Sequence, residues 1–93
     1  MDATTIEHVP GSAFHAHVAG DRGVLEYGLS AGRMEIAHTF VPAALRGRGI
    51  AGQLVRAALD HARAEGLAVV PACPYAAGWI ERHPVYADLV ADR

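Results

Sequence analysis

The hydrophobic repeat of this 93-residue chain changes period across one stretch, VPAALRGRGI, from Val41 to Ile50. Upstream the repeat is two, which suits strands with one buried face. In AFHAHVAG, Phe14, Ala16 and Val18 alternate with His15 and His17. GDRG supplies turn residues, VLEYGLS reads as a second strand through Ser30, and AGR makes another turn. RMEIAHTFV then predicts a third strand, Arg33 to Val41, with Met34, Ile36, His38 and Phe40 on one face and Glu35 on the other. Downstream the repeat is helical: Ile50, Leu54, Ala58 and Ala62, backed by Val55 and Leu59, lie opposite Gln53, Arg56, Asp60 and Arg63. This helix is expected to end near Glu65, with Gly66 as its stop.

LAVVPAC, from Leu67, reads as a short strand buried on both faces. A strand–helix–strand crossover makes it parallel to the strand ending at Val41. PYAAGWIER and HPVYADLV each place a Pro just inside a helix start. Residues 1–12 read as a lead-in closed by Pro10 and Gly11. The expected order is β-β-β-α-β-α-α, an α+β fold with a mixed sheet: a three-strand antiparallel meander, then a parallel strand, with helices packed on the sheet.

Length allows one small domain over residues 1–93. The apolar fraction of 52% suits a packed core. A net charge of -2 gives no basic footprint for nucleic acid. No apolar run approaches the roughly 18 residues of a membrane span, and the N-terminus shows no leader pattern. With Cys73 the sole cysteine, no internal disulfide forms, and the expected compartment is the cytoplasm.

Gly47, Gly49 and Gly52 match the dinucleotide pattern G-x-G-x-x-G. That reading fails on context: the loop does not directly follow a strand, and VVPACP holds no acid where the ribose partner belongs. A P-loop fails for want of G-K-[ST]. What survives is an Arg- and Gly-rich loop opening a helix, whose first amides lack intrahelical partners and carry the positive end of the dipole. Arg46 and Arg48 add forked donors. The bland alternative is a helix start with incidental arginines. However, no Asp, Ser, Thr or Asn stands there to cap the helix, so the loop reads as a diphosphate cradle.

HTFVPAALRGRGIAGQLVRAAL resembles the acetyl-CoA signature of the GNAT superfamily of N-acetyltransferases, through Arg46, Gly49 and Ala51 after Phe40-Val41-Pro42. The tail, with Cys73-x-Tyr75 and His83-Pro84-x-Tyr86, is similar to a small stand-alone GNAT-like branch; the resemblance spans about residues 13–90. It implies acetyl-CoA in a V-shaped gap between the strand ending at Val41 and the strand after the helix. Pantetheine would pair with the backbone around Phe40, at Thr39 and Val41. The pyrophosphate would sit on the amides of Arg46, Gly47, Arg48, Gly49, Ile50 and Ala51, with Tyr75 near the cofactor. The implied activity is direct transfer of acetyl to an amine, on a small molecule or a protein. The alternative is a CoA-binding module with little or no catalysis. Many relatives carry an Asn where this chain has Cys73 and a Tyr acid where it has Ile80. Larger relatives build the acceptor site from N-terminal helices with no counterpart in residues 1–12.

For catalysis, Cys73 offers a thiol at the mouth of the gap, against a reading as small apolar filler. His38 offers a base of near-neutral pKa, against a packed core histidine. Glu35 could act through water or be a solvated strand residue, and Tyr86 is a further candidate acid. His15 and His17 share a strand face as metal ligands do, but no third ligand is evident, so no metal site is expected. Tyr75 and Trp79, four apart on a short helix, read as core or lid. The expected assembly is a monomer or weak homodimer.

Overall fold

A computed structural model describes residues 3–91. Strands β1 (Thr5–Val9), β2 (Ala13–Val18), β3 (Asp21–Ser30) and β4 (Arg33–Phe40) precede a 3-10 turn at Ala43–Leu45 and helix α1 (Ile50–Ala64). Strand β5 (Ala68–Pro71), helix α2 (Pro74–Glu81) and a 3-10 segment (Pro84–Leu89) complete the chain. The sheet order is β1-β2-β3-β4-β5, antiparallel up to β4, with β5 parallel to β4. The α+β class and the parallel crossover are therefore as expected. No described helix is long and apolar enough to cross a membrane.

Two elements differ from expectation. Thr5–Val9, within the expected lead-in, pairs along its whole length with β2; residues 1–2 lie outside the described residues. The tail after His83 forms a 3-10 segment rather than an α-helix, because it must turn back to the sheet. Val90 bridges Val69, and the Ala91 amide donates to the Val69 carbonyl. Arg63 of α1 holds this tail through both carboxylate oxygens of Asp88 and the Val85 carbonyl.

The core lies between one sheet face and α1. Phe14, Ala16, Val18, Leu25, Tyr27, Met34 and Ile36 meet Leu54, Val55, Ala58, Leu59 and Ala62, as the two repeats dictate. Two-residue turns at Ala19-Gly20 and Ala31-Gly32 join β2 to β3 and β3 to β4, with positive φ at all four residues. That pattern matches the twist of tight hairpins.

The strict alternation expected for β4 breaks at Ala37. Tyr27 pairs with Ile36 but Glu26 pairs with His38, leaving Ala37 as an extra residue on β4. Such a bulge shifts the side-chain phase by one. Met34 and Ile36 point into the core, whereas His38 and Phe40 point to the outer face, where both are exposed. His38 thus shares a face with Glu35 and stands opposite Glu26, contrary to its expected place beside Met34 and Ile36. Thr39 takes the inward position opposite Leu25.

Candidate functional site

The β4–β5 ladder ends at Ile36 and Pro71, and the Cys73 amide makes one further bond to the Ile36 carbonyl. Beyond that point the two strands part. Strand β4 continues to Phe40, Pro42 closes it, and the 3-10 turn seats Leu45 in the core. The loop is tied back by Arg46, whose Nε donates to the Val41 carbonyl over 3.1 Å. That bond ties the loop to the end of β4 and occupies one of the two acceptor positions of the Val41 carbonyl.

Helix α1 begins after Gly49, which has φ 74° and no side-chain cap; Gly47 also has positive φ, 82°. Both are left-handed positions that a side chain disfavours. The first internal bond runs from Gln53 to the Gly49 carbonyl, so the preceding amides are free of the helix ladder. They border a cavity of about 220 Å³ lined by Val41, Leu45, Arg46, Gly47, Gly49, Ile50, Ala51 and Tyr75. The sequence-predicted Val41, Arg46, Gly47, Gly49, Ile50, Ala51 and Tyr75 thus converge on one space. Thr39, Phe40, Arg48 and Cys73 do not line it.

Gly49 and Tyr75 are shared with an adjoining groove of about 330 Å³ that also holds Gly52, Gln53, Arg56, Trp79, Arg82 and His83. Gly52 has a packing role: a Cβ there would come within 3.0 Å of Trp79 Nε1. Trp79 is clamped between neighbours, with His83 stacked at 3.7 Å and the Arg56 guanidinium 5.6 Å from its ring centre. Although the chain carries a net charge of -2, the cavity and groove are lined by Arg46, Arg56 and Arg82 and by no Asp or Glu. Arg56, read from sequence only as part of the polar stripe of α1, and Arg82 were not among the expected site residues. The available signal was the run Gly49, Gly52, Gln53, Arg56, which follows one edge of α1 at helical spacing.

Cys73 stands at the start of α2 and is 6% exposed. Its thiol donates toward Thr39 Oγ1 at 3.6 Å. Burial pushes the thiol pKa up, but the amides of Ala76 and Tyr75 and the contacts with Thr39 outweigh it and hold the thiol below its ordinary range. This is the helix-start setting that favours thiolate. The bulge separates His38 from this inward group. Ile80 is buried in the core. Tyr86 is engaged elsewhere, donating to Asp60 Oδ1 over 2.8 Å, and that bond raises its pKa. His15 and His17 lie across the outer sheet face on β2.

The model of the GCN5-related N-acetyl-transferase family matches residues 13–89. Protein NATD1 of Gallus gallus is 41% identical over 66 residues, covering 70% of this chain and 60% of the relative. Protein NATD1 of Homo sapiens shows the same identity over 70% of this chain and 58% of its own length, and that of Xenopus tropicalis is 38% identical. The match thus spans about 60% of the length of these relatives. Matched residues 13–89 contain the splayed strands, the uncapped Gly49 helix start and Cys73, and the chain belongs to the GCN5-related N-acetyltransferase family.

Proposed function

We propose that this chain is an acetyl-CoA-dependent N-acetyltransferase acting on a primary amine of a small molecule or a protein. The observation that carries the reading is the uncapped start of α1 at Gly49, opening on a cavity lined by Arg46 and free of acidic residues. Amides that lie outside the helix ladder at a helix start, with the dipole behind them, suit a diphosphate. Gly47 and Gly49 have open space where a Cβ would stand, so a ligand can approach the backbone closely. Arg56 and Arg82 extend the positive lining into the adjoining groove, which suits a ligand carrying more than one phosphate.

Acetyl-CoA would supply the acetyl group as an activated thioester. The chain's own residues then divide the remaining work. The amides of Gly47, Gly49, Ile50 and Ala51, with the Arg46 side chain, would hold the phosphates beside Tyr75. The backbone of Thr39 to Val41, beyond the end of the β4–β5 ladder, aligns the extended arm. Cys73 would give the Sγ proton that it now directs at Thr39 Oγ1 to a leaving thiolate, its lowered pKa making it a readier donor, in the place of the Tyr acid that buried Ile80 does not provide. His38, exposed on the outer face opposite Glu26 and so apart from Cys73, would accept the proton of an incoming ammonium through intervening water. One chain provides all of these groups, so a monomer suffices. A lone free thiol suits a reducing compartment such as the cytoplasm.

A second reading, a CoA-binding module without catalysis, is favoured by the buried Ile80. Thermal unfolding with CoA tests the common part. Ligand at 100 times its dissociation constant stabilises by about 2.7 kcal/mol, and Arg46→Ala is expected to reduce the shift. Absence of any shift with wild type rejects both readings. Acetyl transfer to a panel of amines then separates them: activity lost in Cys73→Ala or His38→Ala supports the enzyme, and no transfer to any amine leaves the binding module.

A further inference from the structure

The pairing of β1 with β2 brings a carboxylate to the two histidines that alternate along β2. Glu7 stands directly opposite His15 in the ladder, and Thr5 stands opposite His17. All three side chains lie on the outer sheet face, away from α1. Glu7 Oε1 is 2.8 Å from His17 Nε2 and 3.7 Å from His15 Nδ1. One ligand atom from each of the three lies within 4.8 Å of the others, and the two imidazole planes are turned 82° apart.

We propose that Glu7, His15 and His17 form a binding site for a divalent transition metal of the zinc class. Metal–ligand bonds of about 2.0–2.2 Å in a tetrahedral site place ligand atoms roughly 3.3–3.6 Å apart, and the observed separations bracket that range. Small side-chain rotations close the set around an ion without moving the backbone. Two imidazoles and one carboxylate select zinc-class ions over magnesium or calcium, which prefer all-oxygen shells. The ligands sit on neighbouring strands of one ladder, so their positions are set by the sheet rather than by a loop. Three protein ligands leave a fourth position facing solvent, the open arrangement that admits water or another donor.

The expectation of no metal site rested on the missing third ligand, and β1 supplies it. The charged groups that share this end of the sheet are Arg22, opposite His17, and Asp21, which lines a groove with both. The positive charge of Arg22 opposes a bound cation, and the negative charge of Asp21 favours one. Metal binding requires neutral imidazoles, so protons compete with the ion and affinity falls in acid.

Competition for Zn²⁺ between the full chain and a zinc-sensitive dye tests the site. The expected result is one Zn²⁺ per chain at pH 7.5, insensitive to millimolar Mg²⁺ and strongly weakened at pH 5.5. Glu7→Gln and His17→Gln each lower the affinity at least tenfold, and circular dichroism confirms that each variant is folded. Cys73→Ser and His61→Gln keep the affinity, which excludes binding at the thiol or at the His8–His61 pair. With Co²⁺, the visible spectrum reports a tetrahedral site that disappears in His15→Gln. Failure of wild type to compete with the dye overturns the proposal, as does one-to-one binding that survives the His15→Gln, His17→Gln double change.

Discussion

Replacing Gly49 by Ala separates the backbone of the helix start from everything its side chains do. Gly49 has φ 74°, and an added Cβ would meet nothing within 4 Å. The perturbation is therefore conformational strain without a clash. Holding an L-residue in the left-handed region costs roughly 1–2 kcal/mol, and the stiffer unfolded chain returns about 0.4–1 kcal/mol. The net is a loss of about 0.8 kcal/mol, at the centre of a range from roughly 0 to 1.6, which lowers the melting temperature by about 3–6 °C in a domain of this size. Urea unfolding measures it as a lower midpoint at unchanged slope. Gly28→Ala is the matched control. Gly28 also has nothing within 4 Å of its added Cβ, but its φ is not positive, and it lies inside β3. A strand glycine weakens its strand, so this change is expected to gain about 0.5–1 kcal/mol. The two variants should move in opposite directions. If Gly49→Ala is as benign as Gly28→Ala, the left-handed helix start is not the native backbone, and the cradle built on it fails. If the loop relieves its strain by rotating the following amides, CoA affinity falls about tenfold, which is roughly 1.4 kcal/mol. Unchanged affinity in a destabilised variant would detach the ligand from this loop.

Three further measurements address other parts of the molecule. Alkylation of Cys73 by iodoacetamide is expected to show a pH midpoint below that of an ordinary thiol, and Thr39→Val should raise it; an unchanged midpoint refutes the role of the 3.6 Å contact. Burial, and then the charge of His61, hold His8 below its ordinary value of 6.5. The unfolded chain therefore takes up that proton first, so the stabilisation is present above pH 6.5 and is lost as pH falls through the lower folded value. His8→Phe keeps the ring beside Phe14 and should flatten that slope, and an identical slope removes His8 from the account. Ala31, with φ 52°, occupies a turn position that Asn tolerates better. Ala31→Asn should gain roughly 0.5–1 kcal/mol, seen as a higher urea midpoint, and a loss of stability would mean that the turn is not strained.

Much of the architecture was legible from local pattern. The period-two runs of β2 and of β4 as far as Ile36, and the four-residue repeat of α1, each report which side of an element is buried, and Gly66 marks where α1 stops. Burial is what selects those residues. The grouping of the loop residues was legible for a different reason: Arg46, Gly47, Gly49, Ile50 and Ala51 are neighbours in sequence, and a helix start collects adjacent residues by itself. Strand β1 was not legible, because TIEHV is short and carries no clean alternation. Its burial comes from β2 and from a ring cluster in which His8 stacks on Phe14 and meets His61 from α1.

The sequence by itself determined the α+β order from β2 to α2, the face that α1 turns to the sheet and the Gly-rich, uncapped helix start after Arg46, all of which depend on residues close along the chain. Tertiary structure alone decided the rest. One extra residue at Ala37 turned His38 outward, and which strand carries such a bulge depends on its partner's register with Glu26 and Tyr27. Arg56 and Arg82 joined one groove because α2 packs where Gly52 leaves room for Trp79. Glu7 reached His15 and His17 through the β1–β2 ladder. In each case the decisive contact joins residues on different elements, and its geometry is set by packing and pairing, for which a single strand or helix carries no local signal.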